Sequence, residues 1–207
     1  MLPLFHDFDG RRVVVVGGGP VAARKARTFG EEADVTVIAP GFVEGFSDLE
    51  CTLEERTLEA DEAPEVVADA ALVVPATDDR ELNDAISEAA REAGCPVNRV
   101  DEQGDVVTPS RAQSAEVTIA ISTGGASPAM SKYLRQRIEP LLEAADPMVV
   151  LQAELREELQ TADELPPAKR REALWAVLED DRTWELLAAD RKADARERAW
   201  DLIDDLE

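Results

Sequence analysis

Histidine is nearly absent: His6 is the only one in 207 residues, and cysteine is limited to Cys51 and Cys95. A single histidine excludes any mechanism that needs two, and one in a lead-in segment reads as a surface or packing residue. Two distant cysteines form no CxxC, so neither a thiolate metal site nor a disulfide framework is indicated, and both read as reduced, small apolar fillers. No other residues carry metal-ligand spacing. No apolar run reaches the length that spans a bilayer, and Met1-Leu2-Pro3-Leu4-Phe5 is too short and lacks the basic start of a signal peptide. A cytoplasmic protein with no membrane partner is expected. Basic residues are scarce too, 22 Lys and Arg against 45 Asp and Glu, for a formal charge of -23. Charge of that sign opposes nucleic-acid binding and is silent on fold. Spread over helices and loops, with few lysines and abundant Ala, Asp and Glu, it suggests adaptation to high salt, where self-repulsion is screened within a few ångströms.

What the chain does have is concentrated near its start. Val13-Val14-Val15-Val16 reads as a strand buried on both faces, because β-branched residues suit the pleat and nothing alternates to water. Gly17-x-Gly19-x-x-Ala22 follows and matches the dinucleotide fingerprint. Gly17 permits the tight turn, Gly19 lets backbone approach a pyrophosphate, and Ala22 lets the helix pack on the strand. The helix start at Pro20 and Val21 offers free N–H groups and partial positive charge, so the anion needs no basic side chain. A second strand, 34–39, ends at Pro40-Gly41 without the Asp or Glu that would hold a ribose 2′-hydroxyl. Pro40 and Gly41 are therefore expected to meet the adenosine ribose through backbone, and the choice between NAD and NADP is not readable from these residues.

Along the chain, a helix over 20–29 ends at Gly30. A short strand is expected at 53–58, a helix from Pro64, and a buried strand over 70–77, with Asp78-Asp79 capping a helix over 81–93. Gly94 closes that helix, and 96–101 reads as another strand. The βαβαβ series predicts an α/β fold with a Rossmann-type parallel sheet, whose ligands sit at the carboxyl ends of the strands. Thr77, Asp78, Asn98 and Asp101 share that rim with the glycine loop. Beyond it, 105–108 and 116–123 look like strands that pair antiparallel outside the sheet, and Ser127 caps a helix with Pro128 at its first position. From Pro140 onward the expectation is helical, with 148–159, 168–178, 184–187 and 193–206 as segments. Trp175, Trp184 and Trp200 are expected as apolar anchors of a small bundle.

Five strings occur in order: Leu2-Pro3-Leu4-Phe5, Val15-Val16-Gly17-Gly18-Gly19-x-Val21-Ala22-x-Arg24-Lys25, Ala76-Thr77-Asp78-Asp79-x-x-x-Asn83, Val97-Asn98-x-Val100-Asp101, and 119–128, Ile-Ala-Ile-Ser-Thr-Gly-Gly-Ala-Ser-Pro. Together they resemble the precorrin-2 dehydrogenase family, the module that also forms the N-terminal part of siroheme synthase and in some members carries sirohydrochlorin ferrochelatase activity. The resemblance covers most of residues 1–140. It implies NAD-dependent oxidation of precorrin-2 to sirohydrochlorin by a homodimer, with a nucleotide domain over 1–108, a dimerisation region over 109–145 and a helical C-terminal domain over 146–207. It also implies that Asp101 is the catalytic base or a chelation residue. After Asp101 the chain carries Glu102-Gln103-Gly104-Asp105, where family members often continue with an apolar and aromatic segment.

Removing a hydride and a proton from a reduced tetrapyrrole needs a hydride acceptor and a base. A carboxylate at a strand end is the best base here, and Asp101 is preferred to Asp78, which a helix cap already explains. The substrate is polyanionic, so local cations must reverse the sign of the chain's field. Arg99, Arg111, Lys132, Arg135 and Arg137 lie near in sequence, and arginine pairs carboxylates bidentately. Ser122, Thr123 and Ser127 are candidate hydrogen-bonding residues for the substrate's propionates or the cofactor, although hydroxyls before a helix are usually caps. Dehydrogenation alone is preferred to a bifunctional enzyme. A non-catalytic NAD(H)-sensing regulatory module is the alternative, but it should end its second strand in an acidic residue and carry a second ligand domain. A reductase acting on glutamyl-tRNA is disfavoured because no domain with a nucleophilic cysteine precedes the glycine loop.

Overall fold

Four consecutive valines set the first layer. The computed structural model describes residues 3–102, 104–162 and 165–206, and Leu2 and Gln103 lie outside them. The chain divides into two units, Leu2–Thr108 and Pro109–Glu207.

In the first unit, β1 (Arg12–Val16), α1 (Pro20–Phe29), β2 (Asp34–Ala39), β3 (Thr52–Glu55), α2 (Ala63–Val67), β4 (Leu72–Pro75) and α3 (Arg80–Ala93) follow one another. The strands are parallel in the order β3-β2-β1-β4. Alternation along β1 divides its valines between two cores. Val13 and Val15 join Val37, Leu72 and Val74 against Ala22, Ala23 and Ala26 of α1. Val14 and Val16 join Val73 against α2 and α3, including Val66, Ile86 and Ala90. Burial of each valine contributes about 2 kcal/mol, which explains why an all-apolar strand is tolerated at the centre of an acidic protein. Cys95 is buried and Cys51 half-buried, both free, and burial pushes both thiols above their ordinary range.

The expected strand over 96–101 shrinks to a single parallel bridge between Val97 and Val73. Past Asn98 the chain leaves the sheet: Val106 N–H donates to Val97 O at 3.1 Å, and a Cβ on Gly104 would lie 2.6 Å from Val97 O and 2.9 Å from Arg99 N. The returning 104–106 segment therefore lies directly on 97–99. Leu4 and Phe5 are 81% and 76% exposed, and it is Phe8 that packs, edge-on to Phe29 at 6.0 Å. His6 is exposed, edge-on to Phe8.

In the second unit the antiparallel pair is β5 (Ser110–Gln113) with β6 (Thr118–Ile121), so 105–108 is not a strand. Thr108 instead accepts a hydrogen bond from Lys25 Nζ at 2.9 Å. The β5–β6 turn is held by Asp146, which accepts from Ser114 Oγ and from the N–H groups of Ala115 and Glu116. Asp146 lies on α4 (Pro128–Ala162), a continuous helix of 35 residues through Pro140 and Pro147, where a break was expected. Each proline frees the carbonyl four residues before it. Those carbonyls belong to Gln136 and Glu143, both exposed, so water can take the missing bonds.

The second half of α4 presents Met148, Leu151, Leu155 and Leu159 to α5 (Pro167–Glu179), α6 (Asp181–Ala188) and α7 (Lys192–Asp204). Trp184 and Trp200 pack against this core. Trp175, expected to do the same, is 60% exposed because Ala173 and Val177 carry the buried face of α5.

Asp180 joins three of these helices. It caps α6 by accepting from Thr183 N–H and Oγ1, each at 2.8 Å, and it pairs with Arg198 of α7 at 2.7 Å. Arg198 foremost, then Thr183, hold its carboxyl down at about 2. A depressed carboxyl stabilises the fold above its unfolded value, and the contribution disappears as pH falls through the folded one. Asp180→Asn should cost about 2 kcal/mol at pH 7, a difference that narrows between pH 4 and 2. Urea unfolding followed by tryptophan fluorescence reports this directly, since Trp175, Trp184 and Trp200 all lie in the second unit.

Candidate active site

The glycine loop is closed on two sides and open on one. Gly17 sits at φ +131°, and a Cβ there would run into the carbonyl oxygen of Ala76. A Cβ on Gly18 would run into Gly41 O and reach Ala39 Cβ at 3.0 Å, and Val43 N–H donates to Gly18 O at 3.0 Å. The close approach expected of Gly19 is thus made within the protein by Gly18, which seats the β2 loop on the β1 loop. Gly19 itself faces open space, with nothing within 4 Å of a Cβ. It caps α1, whose first turn has Pro20, no side-chain cap and no acidic residue. Pro20, Val21, Pro40 and Gly41 are all exposed around this opening. An unblocked helix N-terminus beside open glycine backbone is suited to a pyrophosphate.

At the end of β4, Thr77 is fastened by Asn83 of α3. Asn83 Nδ2 donates to Thr77 O at 3.0 Å, and Thr77 Oγ1 donates to Asn83 Oδ1 at 2.8 Å. The Thr77 hydroxyl in turn accepts from Asp79 N–H. The cap of α3 is Asp79, whose Oδ1 accepts from Leu82 N–H at 3.1 Å. Asp78, expected as a cap, is instead exposed.

Beside this lies the most concentrated charge of the unit. Arg99, its side chain only 2% exposed, donates from Nε and Nη2 to the two carboxylate oxygens of Asp101 at 2.8 and 2.6 Å. Its Nη1 reaches Asp84 at 2.7 Å, Ser87 Oγ at 3.1 Å and Glu102 at 3.4 Å. Arg99, expected to meet substrate carboxylates, is therefore occupied within the protein. The Arg99 hydrogen bonds hold the Asp101 carboxyl down from 3.8 to about 2, with a smaller contribution from Asn83. Asp101 is an anion at neutral pH, one-third exposed. Asn98 points inward: Nδ2 donates to Val106 O at 2.7 Å, and its buried Oδ1 has no partner among the described residues.

The other expected residues belong to the second unit. Ser122 Oγ accepts from Gly124 N–H, Thr123 Oγ1 from Ser127 N–H, and Ser127 Oγ from Met130 N–H, so all three hydroxyls shape the turn and cap that open α4. Arg135 pairs with Glu139 at 2.7 Å, Arg137 lies 5.9 Å from the centre of the Tyr133 ring, Lys132 is exposed, and Arg111 is half-buried on β5. Asn83, Gly18 and Gly104 were not singled out as functional. The Thr77-to-Asn83 spacing, one helical turn past a cap, was the available signal for the first.

Comparison with known proteins agrees with this geometry. Residues 4–110 match a family model described as NAD(P)-binding, and residues 117–140 match one for the central part of a sirohaem biosynthesis protein. A precorrin-2 dehydrogenase of Methanosarcina barkeri is 38% identical over 98% of this chain and 93% of its own length. The chain belongs to the precorrin-2 dehydrogenase family. A siroheme synthase of Nitrosospira multiformis is 39% identical over 82% of the chain, which spans 38% of that longer protein. The solved structure of SirC, a precorrin-2 dehydrogenase, superposes with a TM-score of 0.72 at 22% identity, covering 97% of this chain and all of the other, a likeness of fold. Membership of the precorrin-2 dehydrogenase family makes NAD the cofactor, and Gly19 with the uncapped start of α1 fits it. Among the described residues no helix is long and apolar enough to cross a membrane.

Proposed function

We propose that this chain oxidises precorrin-2 to sirohydrochlorin with NAD, and that Asp101 takes the proton. The observation that carries the assignment of the base is the one-third exposed carboxylate of Asp101, which lies four residues past the Val97 bridge to Val73 of β4 and is held on both oxygens by Arg99. When bound, NAD would supply the acceptor for the hydride, two electrons and one hydrogen, that leaves the macrocycle. The macrocycle is left cationic, so its remaining proton is far more acidic than in the neutral molecule. A carboxylate at about 2 is a weak base, sufficient for such an acid. Exposure then lets Asp101 return the proton to water. Gly19, Pro20 and Val21 would hold the pyrophosphate, Pro40 and Gly41 the adenosine end, and Thr77 and Asp78 the rim beyond it. Asn98 keeps the Asp101 segment in place through Val106.

The test is to mix protein, precorrin-2 and NAD in concentrated salt and follow NADH and sirohydrochlorin absorbance together. Stoichiometric formation of both above the spontaneous rate is expected; NAD binding without turnover would point to a sensing module instead.

A homodimer is part of the same reading. Met130, Tyr133, Leu134 and Leu141 are exposed on α4 at spacings that share one helix face, and a second copy would cover them. Leu134→Glu should halve the mass measured by light scattering. The location we propose is the cytoplasm of a salt-adapted cell. With a formal charge of -23, the melting midpoint should rise by about 10 °C between dilute buffer and molar KCl, on the order of 3 kcal/mol for a chain of this size. A midpoint indifferent to salt would sink the salt argument.

A further inference from the structure

The carboxylate proposed as base does not stand alone, and what holds it is built with unusual care for a surface loop. We propose that Arg99 is a positioning residue, aiming the Asp101 carboxylate through a two-pronged hydrogen bond while being itself fixed by α3; this rests on the function proposed above. Three observations support it. Both Asp101 oxygens are engaged, by Nε at 2.8 Å and Nη2 at 2.6 Å, which fixes the plane of the carboxylate as well as its place. The guanidinium is buried and its remaining nitrogen is bound by Asp84 and Ser87 of α3, so it cannot swing away with the loop. The backbone around it is closed by Gly104, where any Cβ would press on Arg99 N.

The attachment runs further. Ser87 Oγ donates to Asn83 O at 2.7 Å, and Asn83 grips Thr77 from the same turn of α3. One helix therefore fixes both the loop that ends β4 and, through Arg99, the carboxylate beyond Val97. The ionisable groups around Asp101 are Arg99, Asp84 and Glu102, with neutral Asn83 alongside. Two acids face the same cation, so Asp101 loses its counter-charge if Arg99 is removed. Its carboxyl should then return towards the ordinary aspartate value of about 3.9 or above.

The experiment compares Arg99→Lys and Arg99→Gln with the unaltered chain in three readouts. Arg99→Gln should lower kcat at least tenfold with the KM for NAD unchanged, and its kcat/KM should fall below about pH 5 where the unaltered enzyme is flat. Arg99→Lys should recover part of the rate. In an Asp101→Asn background the same change should add little, because the two act as a unit. Equal losses in both backgrounds, or an unmoved acid limb, would overturn the proposal. If Arg99→Gln does not fold, the carboxyl carbon of Asp101 is titrated by NMR in Arg99→Lys, and an unchanged midpoint would overturn it too. That titration needs no turnover, so failure here is distinguishable from failure to oxidise precorrin-2.

Discussion

Asp101→Asn is expected to reduce kcat for precorrin-2 oxidation by about 10²- to 10⁴-fold, the range for a lost general base, while NAD binds within about twofold of normal. The substitution keeps shape and removes the ability to take a proton. Arg99 stays partly neutralised by Asp84 at 2.7 Å and Glu102 at 3.4 Å, so the loss of a buried pair's partner should fall short of the 3–5 kcal/mol typical when no other acid is near. Calorimetry with NAD and single-turnover NADH absorbance separate the two quantities. Retained turnover would transfer the proton to water or to Asp78, the exposed neighbour at the end of β4 that carries no cap. The acid side of the pH profile is informative as well. A carboxyl held at about 2 remains charged through pH 4, so wild-type activity lost above that pH belongs to another group or to unfolding.

The nucleotide-binding unit was legible because its signals are local and mutually consistent. A valine run fixes β1 to within one residue, Pro20 at the first helical turn and Gly30 after the last fix α1 to its observed bounds, and 34–39 is β2 as expected. Errors occur where tertiary bonds overrule pattern. The 96–101 segment has strand composition, yet Arg99 is drawn to α3 and Gly104 lies on its open edge. Charge near a pocket is not thereby available charge: residues 99 and 101, two apart in an expected strand, share a face, so their pairing is readable from the sequence. Pro140 and Pro147 both precede the expected 148–159 segment, yet a proline whose freed carbonyl faces water need not end a helix that is held by packing on both sides of it. Trp175 looked like core because tryptophan usually is, whereas the small residues Ala173 and Val177 define the inner face of α5. The hydroxyls at 122, 123 and 127 turned out to be turn and cap residues, the reading their place before a helix favours.

The glycine loop separates fold from binding within three residues, and the second large effect follows from that. Gly18→Ala should destabilise the nucleotide unit by on the order of 3 kcal/mol, because its Cβ meets a backbone carbonyl, Gly41 O, that no side-chain rotation can clear. Gly17→Ala should do the same, with the added strain of φ +131°. Gly19→Ala is the contrast. Its φ of -86° is ordinary for alanine and no atom lies within 4 Å of the new methyl group, so the melting midpoint should move by less than about 3 °C. The methyl nevertheless stands in the space a pyrophosphate would enter, and NAD affinity should fall at least tenfold, about 1.4 kcal/mol or more. Scanning calorimetry and NAD titration of the three variants read both effects without relying on tryptophan, which this unit lacks. If Gly19→Ala bound NAD as tightly as the unaltered chain, the cofactor could not lie along the start of α1, and the roles given to Pro20, Val21, Pro40 and Gly41 would fall with it.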